Sequence, residues 1–185
     1  MNGSFEGDGA LAFNGEGQVN IGTTKFFGYK GATILRGGTV YLSTTDISKA
    51  GIGSSSKLVM AGGHLKTKGE TSGYETYSFP MEMKAGTVSQ FSPNLCCYWK
   101  STLTGSGTLQ LNIPYLREYI QGNYSEFTGR LVANGISSEK EGSLLLFNKG
   151  INMPKTVVEA TGNARLAGWD TDASISIGGL SGTSK

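Results

Sequence analysis

The sequence predicts an all-β protein, a right-handed parallel β-helix (β-solenoid) with coils of about 21–25 residues. Three observations lead there: abundant glycine with little proline, short runs of alternating apolar and polar residues, and a unit that recurs at coil length.

The chain has 185 residues, of which 29 are Gly and 4 are Pro, and 37% are hydrophobic. Glycine at that level without a strict three-residue period is not collagen. The β-branched and aliphatic residues come in bursts, which a Gly-rich disordered linker would lack. Bursts separated by Gly, Ser, Thr and Asn clusters read as many short strands joined by turns.

The recurring unit is an apolar-alternating run, one or two glycines, then another run. It appears as "ILRGGTVYL" at 34–42, "KLVMAGGHLKT" at 57–67, "MEMKAGTVSQF" at 81–91, "LTGSGTLQLNI" at 103–113 and "FTGRLVA" at 127–133. Gly38, Gly63, Gly86, Gly107 and Gly129 mark its repeats, spaced for three short strands and their corners. Alternation then assigns an interior: Val40, Leu42, Leu58, Met60, Leu65, Leu109, Leu111, Ile113, Phe127, Leu131, Ile175 and Ile177. Gly107 is expected at a corner, in a backbone conformation costly to a side chain. A β-sandwich is the competing fold, but Asn-Gly hairpin signals are scarce and the unit repeats at coil length. Residues 1–185 therefore read as a single β-helix segment of a longer repeat protein.

Several function classes fall away. Net charge is +2, with basic residues scattered, whereas a nucleic-acid footprint needs a concentrated basic stripe. No stretch approaches the roughly 18 apolar residues of a membrane span, and no signal peptide opens the sequence. Cys96 and Cys97 are adjacent, which excludes a long-range disulfide framework and suggests one buried and one more exposed thiol. His64 is the only histidine, too few ligands for a Cys/His zinc site, and is expected to be an exposed side chain. No cofactor or metal is expected.

Residues 29–42, "YKGATILRGGTVYL", resemble the autotransporter-associated β-strand repeat through Tyr29, Gly31, Thr33, Gly38, Thr39 and Leu42, with Val40 in place of leucine. The segment from 103 to 133 is similar to a variant core found in large surface proteins, here Gly122, Asn123, Tyr124, Ser125, Phe127 and Gly129. The matches cover about half the chain. The resemblance implies a parallel β-helix passenger region, secreted or displayed at the cell surface or outer membrane of a Gram-negative bacterium, with structural repeats and no catalytic residues. Residues 68–102 and 134–171 depart from the pattern, and features specific to this protein are expected there.

β-Helices include polysaccharide lyases and hydrolases, so a fragment of a carbohydrate-active enzyme is the alternative function. Glycoside hydrolysis needs two carboxylates across the substrate. Asp170 and Asp172 form a close acidic pair, and with Trp169 they could make a small sugar or calcium site, although calcium wants six to eight oxygens. Arg117 beside Glu118 reads as a solvated surface pair. Aromatics are the stronger lead because their faces stack on sugar rings and anchor interfaces. Tyr74, Tyr77, Tyr98, Trp99, Tyr115, Tyr119 and Tyr124 concentrate in the middle of the chain, some of them as core. The expected binding residues are Tyr98, Trp99, Tyr115, Arg117, Tyr119, Trp169, Asp170 and Asp172, without a catalytic set. The expected partners are glycans, host or cell-surface proteins, and neighbouring coils of the parent chain.

Overall fold

The computed structural model describes residues 3–23, 26–43, 52, 55–68, 75–94, 96–115, 117–138, 140–169 and 174–183. The chain is a parallel β-solenoid of about seven turns. Among the described residues every strand pair is parallel and no α-helix occurs.

The first coils run β1 (Phe5–Gly7), β2 (Leu11–Phe13), β3 (Gln18–Ile21), then β4 (Phe27–Tyr29), β5 (Thr33–Leu35), β6 (Thr39–Leu42). Next come β7 (Leu58–Met60) and β8 (His64–Thr67), then β9 (Glu75–Tyr77), β10 (Met81–Met83) and β11 (Val88–Ser92). A further coil holds β12 (Cys97–Trp99), β13 (Leu103–Gly105) and β14 (Thr108–Ile113). The final elements are β15 (Glu118–Ile120), β16 (Arg130–Gly135), β17 (Ser143–Phe147), β18 (Asn152–Gly162), β19 (Ala164–Gly168) and β20 (Ser176–Gly182).

Stacking the coils makes three faces. The long sheet has eight strands, β3-β6-β8-β11-β14-β16-β18-β20. The early sheet is β2-β5-β7-β10-β13, and the late sheet is β9-β12-β15-β17-β19, with β1 paired to β4 in the first coils. Beyond β13 the early face continues, among the described residues, through the bridges Thr102 to Asn123 and Gly105 to Phe127.

Each inward position meets its equivalent in the next coil. Val19, Val40, Leu65, Phe91, Leu111, Ala133 and Ala160 form one such column in the long sheet. Their spacings run from 20 to 27 residues, wider than the expected range, because corners differ in length while strands stay in register. From the long sheet to the late sheet, Ile113 to Glu118 takes 5 steps, and the next coil, from Gly135 to Leu145, takes 10. The ladders on both sides are nonetheless continuous.

Ten of the twelve expected interior residues are buried; Ile175 and Ile177 are only partly covered and pack against the core near its end. On most three-residue strands the first and third side chains are the buried ones, as in Leu58/Met60, Met81/Met83 and Cys97/Trp99. The large aromatics Tyr77, Phe91, Trp99, Tyr124 and Phe127 are fully buried, the first four in a chain of ring contacts.

One glycine expectation is corrected. The left-handed backbone lies at Gly105 (φ 88°), not at Gly107. Gly107 is needed for close approach: a Cβ there would sit 2.3 Å from the Lys84 carbonyl oxygen of the coil beneath.

Candidate functional site

The outer face of the long sheet carries an ordered polar lattice. Gln18, Thr39, His64, Gln90 and Gln110 stack in one outward column. Asn20, Tyr41, Lys66 and Ser92 stack in the next, continued by Asn112, Asn134 and Thr161.

Asn112 is the hub. Its Nδ2 donates to Gln90 Oε1 (3.1 Å) and Ser92 Oγ (2.9 Å). Its Oδ1 accepts from Gln110 Nε2 (2.8 Å) and Asn134 Nδ2 (2.8 Å). Both amide hydrogens and both carbonyl lone pairs are thus used. Thr161 donates to Asn134 Oδ1 at 3.2 Å, and His64 Nε2 lies 2.7 Å from Ser92 Oγ. The network therefore runs unbroken through five coils, a side-chain counterpart of the backbone ladder.

A cleft of about 520 Å³ opens beside this lattice, where the chain leaves the long sheet. Gln18, Tyr41, His64, Lys66, Ser92 and Asn112 line it from successive coils, and Pro93, Asn94, Pro114 and Ile136 form the corner rim. Two proline rings fix the rim backbone. Among the described lining residues Lys66 is the one fixed charge, and none is a carboxylate. Burial holds the His64 imidazole below its ordinary pKa, with the Lys66 charge adding to the effect. The described lining of the cleft offers donors, acceptors and the Tyr41 aromatic ring.

The expected aromatics divide. Tyr98 and Tyr119 are register partners on the late sheet with ring centres 4.8 Å apart, and Trp169 stands edge-on to Tyr119 at 4.9 Å. The structure thus gathers three of the expected residues into a row. Lys100 Nζ lies 5.8 Å from the Tyr98 ring centre. Tyr119 is buried within the row, whereas Trp169 is 50% exposed and presents the accessible ring. Trp99 points the other way, into the core at 1% exposure, and does not reach the surface. Tyr115 and Arg117 are half-buried in the corner before β15, near the cleft rim in sequence. Asp170 and Asp172, and Tyr74, lie outside the described residues.

The expected surface pair Arg117–Glu118 is overturned, because Glu118 faces the interior at 1% exposure. It shares the inward column of the late sheet with Cys97 and Glu75. The Cys97 backbone N–H donates to Glu118 Oε2 (2.9 Å), and Tyr77 Oη donates to Glu75 Oε2 while lying 2.7 Å from Thr67 Oγ1. Glu75 Oε1, Glu118 Oε1 and Trp99 Nε1 have no hydrogen-bond partner among the described residues. Burial pushes the Glu118 carboxyl well above its ordinary range, against hydrogen bonds to Cys97 that favour the charged form. The Cys97 thiol and the Tyr77 and Tyr124 phenols are likewise raised, chiefly by burial. Both cysteines are buried and free, where one had been expected to be more exposed. No group of three or more His, Cys, Asp or Glu side chains among the described residues is placed to hold a metal ion.

Comparison with protein-family models, with curated proteins and with solved structures found no match.

Proposed function

We propose that this chain is a non-enzymatic scaffold segment of a secreted or surface-displayed bacterial protein that binds glycans through the long-sheet cleft. The observation that carries this reading is the amide lattice bordering a concave cleft. Sugar hydroxyls both donate and accept, and the Gln18, His64, Ser92 and Asn94 side chains at the cleft match that chemistry, while the saturated Asn112 holds them in place. Because the hub amide is already saturated, the lattice is preorganised, and little side-chain entropy is lost on binding.

Two further observations support it. The residues at 29–42 resemble the autotransporter-associated repeat, which implies export and structural coils. The row ending in Trp169 offers a second sugar-stacking surface on another face. The cleft lining described here has no carboxylate, and Glu75 and Glu118 are enclosed in the core, away from any polysaccharide. Host or cell-surface proteins bearing such glycans are the corresponding partners.

A glycan array with the whole chain, read alongside a reducing-end and unsaturated-product assay, tests the proposal. Binding is expected without product release, and Tyr41→Ala is expected to weaken it more than Trp169→Ala. Catalytic turnover would instead support a carbohydrate-active enzyme fragment, and absence of binding across the array would reject the reading.

A further inference from the structure

The electrostatics of the cleft restrict its ligand further, in an inference that rests on the glycan-binding reading. His64 and Lys66 share the outer face of β8, near the middle of the cleft. The groups facing His64 are Thr39 and Tyr41 from β6, and Gln90 and Ser92 from β11. Gln18 of β3 and Asn112 of β14 complete the surroundings. None carries a negative charge at neutral pH. Along the outward columns from β3 to β18 the first carboxylate is Glu159, which is ion-paired with Arg130. The cleft therefore holds one permanent cation, Lys66, one latent cation, His64, and no compensating anion among its described lining.

The hydrogen bonds couple the latent charge to the floor of the cleft. Ser92 Oγ receives a hydrogen from Asn112 Nδ2 and lies 2.7 Å from His64 Nε2. With neutral His64, the Ser92 hydroxyl can spend its own hydrogen on Nε2. Once the imidazole is protonated, both ring nitrogens are donors. Ser92 Oγ must then accept from Nε2 as well as from Asn112, and its hydrogen is released from the ring. Protonation thus adds a charge and frees a hydroxyl donor in one step, and both changes favour an anion.

We propose that the cleft takes an anionic polysaccharide, one whose sugar rings carry carboxylate or sulfate groups, and that His64 protonation strengthens its binding. The permanent attraction comes from Lys66. The pH-dependent increment comes from His64 and its Ser92 partner.

Calorimetric titrations at pH 5.0 and 7.5 would use three probes: an oligogalacturonate for carboxylate, a heparin-derived oligosaccharide for sulfate, and a neutral cello-oligosaccharide. At least one anionic probe is expected to bind about five- to tenfold tighter at the lower pH, with the neutral probe unaffected. By linkage, the same ligand must raise the His64 pKa, which NMR can follow without ambiguity because the chain has a single histidine. Lys66→Ala, at an exposed side chain, is expected to remove most of the anionic preference. His64→Gln, which keeps a partner for Ser92, is expected to abolish the ratio between the affinities at pH 5.0 and pH 7.5, whatever its effect on the affinity itself. Neutral and anionic probes bound equally at both pH values would overturn this inference and leave the glycan-binding reading standing. Anionic binding with no pH dependence, or with a pH dependence that survives His64→Gln, would overturn the role of His64. Failure of all probes, together with a blank array, would overturn both.

Discussion

Leu109→Ala is the sharpest test of the coil architecture. Leu109 is fully buried on β14, with Ser89 of β11 below it and Leu131 of β16 above it in the same inward column. Ser89 is small and its hydroxyl is already engaged by the Gly62 N–H at 2.9 Å, so it cannot move to fill a void. Leu131 is held by ladders on both sides. The site therefore collapses poorly, and the loss belongs in the upper part of the range for leucine truncation, about 3–5 kcal/mol. Gln110→Ala, one residue along, removes one hydrogen bond to Asn112 Oδ1, which still accepts from Asn134. That change should cost about 0.5–1 kcal/mol. Urea unfolding followed by the fluorescence of buried Trp99 gives both values. Hydrogen exchange then locates the damage, which should peak in the coils of β11, β14 and β16 and fade beyond them. Equal losses from the two substitutions would refute the inside–outside assignment.

Glu118→Gln should flatten the dependence of stability on pH. The carboxyl is raised in the folded chain above its ordinary 4.5, so its contribution is fully present below that value and declines as pH rises toward the folded pKa. The variant should exceed the parent in urea midpoint at pH 8 and lose that advantage at pH 4; parallel curves would count against the burial argument. Gly122→Ala should destabilise by about 1–3 kcal/mol, since its Cβ would fall 1.9 Å from the Ser101 carbonyl oxygen; an unchanged melting temperature would contradict that contact. Cys96 and Cys97 should resist a thiol reagent in the native state and react together in denaturant, because both are buried with raised pKa values. Rapid native labelling of Cys97 would show that the core is open there.

The fold was legible because glycine spacing and strand alternation report the same object, one coil at a time. The interior of β14 followed directly from "TLQLNI", where the two faces differ in polarity. The column of Glu75, Cys97 and Glu118 was harder, since adjacent opposite charges in "LREYI" ordinarily mark a surface. A signal was nonetheless present: alternation that puts Ile120 inside puts Glu118 inside as well. The same rule separates Tyr98, the middle residue of its strand, from Trp99, the third. The cleft could not be read in this way. Its side chains come from successive coils whose spacing varies, so no fixed period aligns Tyr41, Lys66, Ser92 and Asn112 in the sequence. His64 was expected to be an exposed side chain, whereas it is half-buried and bonded to Ser92 of the next coil.

The unequal corners have a consequence for how this chain tolerates change. The connection from Gly135 to Leu145 holds five residues more than the one from Ile113 to Glu118, yet both deliver their strands to the same ladders. Length is therefore a local variable, absorbed where the backbone turns and invisible one coil away. A single residue inserted between Leu109 and Gln110 would instead exchange inside for outside along the rest of β14. Scanning one-residue insertions through residues 103–147 should consequently give a striped map. Permissive bands would fall at the corners and intolerant bands at the strands, so that survival alone would trace the coils.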